Sequence, residues 1–147
     1  WGGVSTQGKT KLQFYEGRIG SKEYSKMLEK AKPDFDKMFG HEDWCFQHDG
    51  ASAHKAKSTN KWLEEHVPEH ITSGPNGDWP ANSPDLNIIE NVWGIMKDDL
   101  EESTPQTTVA LKRRVRKIGK ELDREVINKM AHGMKQQILD VIKQRSI

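Results

Sequence analysis

The sequence predicts an α/β fold with a helical C-terminal part. Three observations carry that reading. Short runs of β-forming residues, Trp1–Ser5, Thr10–Tyr15 and Trp44–His48, alternate with segments whose apolar residues recur at helical spacing. Glycine, proline, asparagine and aspartate cluster between them as turn signals. From Ser103 onward the periodicity is helical throughout.

The first two strands are joined by Thr6-Gln7-Gly8-Lys9, a stretch suited to a tight hairpin in which Gly8 is free to take positive φ. Glu16–Gly20 is a loop. Ser21 is then expected to cap a helix whose apolar stripe is Tyr24, Met27, Leu28 and Ala31. Pro33 is expected to interrupt it, leaving Asp34–Phe39 as a second segment through Phe35, Met38 and Phe39. In the next strand, alternation puts Trp44, Phe46 and His48 on one face and Cys45 and Gln47 on the other. Asp49-Gly50 ends that strand. An acid just past a strand end projects into a loop where open α/β sheets usually bind substrates. The plain alternative is an Asp-Gly turn.

Lys57–Val67 reads as a helix with Trp62, Leu63 and Val67 as its buried side, stopped by Pro68. Ile71-Thr72 is suited to start a short strand, and Gly74-Pro75-Asn76-Gly77-Asp78 is a strong loop signal. Trp79–Gly94, reading WPANSPDLNIIENVWG, then concentrates the most information. Pro80 and Pro84 forbid a regular element before Leu86. Asn87 can cap a helix, with Glu90 at capping-box spacing. Ile89, Trp93, Met96 and Leu100 make an apolar face, with Glu90, Gly94 and Lys97 on a neighbouring stripe. Gly94 leaves room beside Glu90 for a large group to approach. Ser103-Thr104-Pro105 is a break and a cap. Leu111, Val115, Ile118 and Leu122 mark one further helix. Ile127, Met130, Met134, Ile138, Val141 and Ile142 mark another, with a bend expected at Gly133.

At 147 residues the chain is one domain's worth, polar for its size, with five Trp and four Phe to anchor a small core. No apolar run approaches the length that spans a bilayer, and no secretory signal is visible. Cys45 is the single cysteine, so there is no internal disulfide, which fits a reducing compartment. The first residue is Trp, so the chain is expected to be a piece of a longer one. The net charge of +1 hides an asymmetry. Residues 1–102 carry 12 Lys+Arg against 18 Asp+Glu, and residues 103–147 carry 11 against 4. The expected organisation is therefore one domain over 1–147: a sheet and carboxylate region over 1–102 and a basic helical part over 103–147. The basic part either meets phosphates or is a solvated face.

WPANSPDLNIIENVWG closely resembles the block around the last catalytic carboxylate of mariner-like DNA transposases, cut-and-paste enzymes with a DDE/D metal triad on an RNase H-like fold. Phe46-Gln47-His48-Asp49-Gly50-Ala51-Ser52-Ala53-His54 resembles the family's second-carboxylate block, an acid at a strand end with a His five residues later. Ile88 and Ser52 stand where proline is common in the family, Gly50 where asparagine is usual, and Gln136-Gln137 where a basic pair is frequent. None of these replaces a metal ligand. Asp49 and Glu90 are more widely spaced than in the commonest members, and the excess is expected in the Gly74–Asp78 loop.

The resemblance implies an RNase H-like mixed sheet flanked by helices. It makes Asp49 and Glu90 the catalytic and metal-binding acids, supported by His54, Asn87 and Asn91. It implies a two-metal Mg²⁺ or Mn²⁺ site, because hard cations prefer carboxylate oxygens. DNA, as transposon ends and target, is the implied partner, with Lys112, Arg113, Arg116 and Lys117 as candidate phosphate contacts. It allows a homodimer and implies a nuclear location if the source is eukaryotic. The family's first Asp and its central strand are expected upstream of Trp1, since Glu16, Asp34 and Asp36 sit on no strand that fits. The segment alone is therefore expected to be inactive, and either poorly stable or rearranged in its strand pairing. Two rival classes stand beside this one. One is a non-catalytic DNA-binding remnant or domesticated transposase domain. The other is a zinc protein using Cys45, His48 and His54 near His41, whose spacing fits no standard zinc pattern.

Overall fold

The computed structural model describes residues 1–71 and 83–145. The Gly74–Asp78 loop and Trp79-Pro80 lie outside the described residues. The chain forms two compact units, one of Trp1–Gly2 and Lys9–Pro84, the other of Gly3–Gly8 and Asp85–Ile147.

In the first unit, α1 (Ser21–Phe39) carries the predicted stripe: Tyr24, Met27, Leu28, Ala31 and Phe35 are all buried. Two expectations about this helix are corrected. The N-cap is Gly20, not Ser21, and the Glu23 carboxylate accepts the Gly20 N–H at 3.1 Å. Nor does Pro33 divide the helix, which runs through it to Phe39. Proline there removes the amide that would bond to the Glu29 carbonyl. Burial of Ala31 and Phe35 on either side of it outweighs that loss. The helix ends at Gly40, whose positive φ of 57° suits glycine and whose N–H reaches the Asp36 carbonyl at 2.9 Å.

β3 (Cys45–Gln47) leads into α2 (Lys57–His66), which leads into β4 (Glu69–Ile71). The two strands pair in parallel, with Cys45 opposite Glu69, Phe46 opposite His70 and Gln47 opposite Ile71. A parallel pair needs such a crossover, and α2 supplies it. Leu63 and Val67 are buried as expected and pack with Tyr24, Met27 and Leu28. Trp44 and Phe46 line the same core, while Cys45 is exposed, as strand alternation requires. Phe35 meets Trp44 at 5.3 Å and Phe46 at 6.0 Å between ring centroids.

The predicted hairpin is present but shorter. β1 (Val4–Ser5) pairs with β2 (Gly8–Lys9) around Thr6-Gln7, and Ser5 Oγ accepts the Gln7 and Gly8 amides at 3.1 and 3.2 Å. Thr10–Tyr15 forms no strand; there Gln13 and Trp1 exchange both backbone hydrogen bonds, at 2.8 and 2.9 Å. Among the described residues the strands form two separate two-stranded ladders, β1 with β2 and β3 with β4; the strand expected to lie between the hairpin and β3 is the one the sequence reading does not find in this chain.

Where the first unit gives way to the second, Pro84–Leu86 forms a short 3₁₀ turn where irregular chain is expected, since proline suits the first position of such a turn. α3 follows over Ile88–Ser103 with Asn87 at its N-cap. The capping box does not form. The Asn87 side chain makes no cap bond, and the Asn87 carbonyl accepts the Glu90 amide at 3.0 Å instead. The buried face centres on Val92 and Met96 rather than on Ile89 and Trp93. α3 ends at Thr104 in the left-handed region, the expected break. The cap of α4 (Thr108–Glu121) is Thr107, whose hydroxyl accepts the Ala110 amide at 3.1 Å. The Arg114 guanidinium grips both oxygens of Asp99 at 2.6 and 2.7 Å, tying α4 to α3. α5 (Arg124–Arg145) passes through Gly133 without a break and buries Ile127. Arg124 donates to the Thr6 carbonyl and the Gln7 side chain, fixing the hairpin tip to the start of α5.

Because Pro33 is exposed and sits inside a continuous helix, Pro33→Ala restores one helical hydrogen bond with no cavity. Calorimetry is expected to show stabilisation of about 2 kcal/mol, the helix-interior cost of proline less its ordering of the unfolded chain. Unchanged or reduced stability would mean the helix is in fact divided there.

Candidate active-site acids

Asp49 leaves the carboxyl end of β3, and α2 begins eight residues later. Between them the chain turns on Asp49 itself. Its Oδ1 accepts the Ala51 amide at 3.0 Å, the side-chain turn that the Asp-Gly reading predicts. The same oxygen lies 2.6 Å from His54 Nδ1, which is also 3.2 Å from the Asp49 carbonyl. Since Nδ1 faces two acceptors, it carries the hydrogen. Thr59 closes the turn from α2, its hydroxyl donating to the Ala53 carbonyl at 2.7 Å. Asp49 thus does both things: it makes the turn, and it offers Oδ2, which engages no hydrogen-bond or ion-pair partner among the described residues. Its side chain is 55% exposed.

Two groups around this loop were not foreseen as part of the site. Tyr24 Oη and His48 Nδ1 are hydrogen bonded at 3.1 Å, both buried. The ring of His54 lies 4.0 Å from Tyr24 and 4.8 Å from His48 between centroids, stacked nearly parallel to the latter at 6°. Burial, with the neighbouring His54, pushes His48 down to about 4, against Asp49, which pulls the other way. Burial likewise raises the Tyr24 hydroxyl well above the ordinary phenol range. Both groups are therefore neutral near pH 7. The signal for them was in the sequence: His48 shares the core-facing side of its strand with Trp44 and Phe46, and Tyr24 heads the α1 stripe.

The other predicted residues stand in the second unit. Asn87 caps α3 by its backbone and is half-buried; Glu90 and Asn91, in the first turn, are exposed. A Cβ added at Gly94, one turn beyond Glu90, would meet nothing, as the open approach beside Glu90 requires. Lys112, Arg113, Arg116 and Lys117 are carried by α4, with Arg113 and Arg116 exposed and Lys117 3.7 Å from Glu121. Asp34 and Asp36 have structural duties, the first accepting the Lys11 amide at 2.8 Å and the second pairing with Lys32. Among the described residues no group of three or more His, Cys, Asp or Glu gathers as a metal cluster, the zinc set included. The donor type nonetheless fits a hard divalent cation. Asp49 and Glu90 are exposed carboxylates, and one oxygen of Asp49 is held while the other is left open.

A family model described as DDE superfamily endonuclease matches residues 1–112, and the chain belongs to that family. The chain is also similar to the transposable element Tc3 transposase of Caenorhabditis elegans, at 27% identity over 145 residues. That similarity covers 97% of this chain and 42% of the relative, so the chain spans less than half of the relative's length. Among the described residues no helix is long and apolar enough to cross a membrane.

The lowered His48 value makes the fold sensitive to acid. An unfolded histidine titrates near 6.5, so the unfolded chain binds the extra proton first as pH falls. The stabilisation is complete above pH 6.5 and is lost between 6.5 and about 4. With chelator present, wild type minus His48→Gln stability should fall by up to about 3 kcal/mol across that window. A flat difference would place His48 in contact with water.

Proposed function

We propose that this chain is the catalytic segment of a cut-and-paste DNA transposase, a metal-dependent endonuclease and strand transferase on an RNase H-like fold. The observation that carries the reading is the state of Asp49. In a chain of the DDE endonuclease family, this acid stands at a strand end with one oxygen clamped and the other open.

Cleaving a phosphodiester needs an activated water, relief of charge on the phosphate and a stabilised leaving oxygen; a pair of Mg²⁺ or Mn²⁺ ions supplies these when bound. Asp49 Oδ2 and Glu90 would hold the ions, with a further acid from a segment upstream. His54 keeps the Asp49 carboxylate from turning its open oxygen away. Asn87 and Asn91 flank Glu90 in the same turn and set how α3 presents it. Lys112, Arg113, Arg116 and Lys117 on α4 would neutralise DNA phosphates. The Lys117–Glu121 pair is solvent-exposed and worth little, so exchanging it for a phosphate costs little. The partner is DNA, as transposon ends and target, with a homodimer as the assembly and the nucleus as the location in a eukaryotic source.

In the full-length parent, Asp49→Asn or Glu90→Gln should abolish strand cleavage in a Mg²⁺-dependent nicking assay while DNA binding stays near wild type. Cleavage surviving in either variant would remove that acid from the metal site. Binding without cleavage by the unaltered parent is the behaviour of a DNA-binding remnant.

Replacing Lys112, Arg113, Arg116 and Lys117 with alanine should flatten the plot of log affinity against log salt by about 3 to 4 units of slope, close to one per lost phosphate contact. A slope that does not move would return α4 to the role of a solvated face.

A further inference from the structure

We infer that Tyr24 is a positioning residue for Asp49: its ring lies against the His54 imidazole that holds one carboxylate oxygen, and its hydroxyl fixes the His48 imidazole stacked on His54. The inference rests on the reading of Asp49 as a metal ligand, but its geometric part stands without any cation.

An exposed aspartate ordinarily samples several rotamers, and each presents its oxygens differently. Asp49 is more than half exposed, yet Oδ1 is taken twice, by the Ala51 amide and by His54 Nδ1. The first of these bonds comes with the turn. The second depends on the His54 ring keeping one orientation, because a half-turn about Cβ–Cγ would replace Nδ1 by a carbon. Within residues 49–54 the ring is held through Nδ1, which also lies 3.2 Å from the Asp49 carbonyl. A further hold comes from α1, twenty-five residues earlier in the chain. The Tyr24 ring lies 4.0 Å from the His54 ring, while the Tyr24 hydroxyl, 3.1 Å from His48 Nδ1, pins the second imidazole, which stacks on the first at 4.8 Å.

The residue type supports this assignment. Tyr24 is 1% exposed, and the other buried members of its stripe are Met27, Leu28, Ala31 and Phe35, none with a polar side-chain atom that needs a partner. A hydroxyl at such a depth costs free energy unless it is bonded. Phenylalanine would fill the space without that cost. The hydroxyl here is bonded to an imidazole adjacent in sequence to Asp49, and the amino group of Trp1 also bears on it. Core packing accounts for the ring. Packing alone does not account for the hydroxyl, and the link to His48 is one role for it.

The test uses the full chain, with NMR and Mn²⁺ as probe. The side-chain Nδ1–H of His54 should appear as a slowly exchanging resonance, assigned by its disappearance in His54→Gln. Mn²⁺ binding is read as paramagnetic broadening of the Gly50 and Ala51 amides. Tyr24→Leu should lose the slow resonance and weaken Mn²⁺ by about tenfold, the usual scale for removing support behind a metal ligand. Tyr24→Phe keeps the ring volume and therefore the fold. It should speed exchange of the His54 Nδ1–H severalfold, shift the His48 Nδ1 resonance and weaken Mn²⁺ less than the leucine variant does. Should Tyr24→Leu fail to fold, the phenylalanine variant decides alone. Wild-type exchange and wild-type Mn²⁺ affinity in folded Tyr24→Phe would overturn the inference. Asp49→Asn separates the two failures. If it leaves Mn²⁺ broadening intact, the metal reading fails, and the exchange measurements, made without metal, still judge the role of Tyr24.

Discussion

Helix α1 carries a row of five buried side chains, Tyr24, Met27, Leu28, Ala31 and Phe35, and the first unit is arranged so as to keep water from them. α2 covers the row with Leu63 and Val67, and the run into β3 covers it with Trp44 and Phe46. Each fully buried side chain of this size contributes about 1.5–3 kcal/mol, enough for the row to hold a proline inside its own helix. The turn at Asp49 is set by the same constraint. Once Phe46 and His48 face the row, Asp49 is turned to the other side at the strand end. His54, five residues on, comes back over Tyr24. A carboxylate at the surface thus owes its orientation to the order of the core beneath it.

Much of this arrangement was legible in the letters. The α1 stripe, the buried side of α2, the stop at Pro68 and the facing of Trp44 and Phe46 follow from periods of 3.6 and 2, which reflect backbone geometry alone. What could not be read were choices settled by tertiary contact. Pro33 looks like a helix end because proline lacks a donor, and the continuation of the stripe from Ala31 to Phe35, four residues on, therefore reads as a separate segment. Asn87 and Glu90 have the letters of a capping box, but at Asn87 the backbone carbonyl, not the side chain, meets the Glu90 amide. Arg114 reads as one more member of a basic face, and Asp99, which binds it, lies fifteen residues away on another helix. The turn at Asp49 was legible both as a turn and as a candidate site, and these two readings proved compatible. The tie between Tyr24 and His48 joins segments 24 residues apart, a pairing that local sequence does not encode.

The helical part shows how charge is divided between structure and surface. Arg114 is spent on Asp99 and Arg124 on the hairpin tip, so neither is available to a polyanion at no cost. Arg113 and Arg116 lie on the exposed side of α4. A basic composition over 103–147 therefore overstates the charge on offer. Its effective value depends on which guanidinium groups already hold the helices together.

The parallel pairing of β3 with β4 has a consequence for how such a chain varies. In a parallel pair both strands point the same way, so the polypeptide leaves Ile71 at the very edge from which Asp49 departs. Residues inserted after Ile71 enter on the carboxylate's side of the ladder, and those inserted before Glu69 enter on the far side. Lengthening the chain at either place can leave every ladder bond intact, but only at the first does the added length enter on the acid's side.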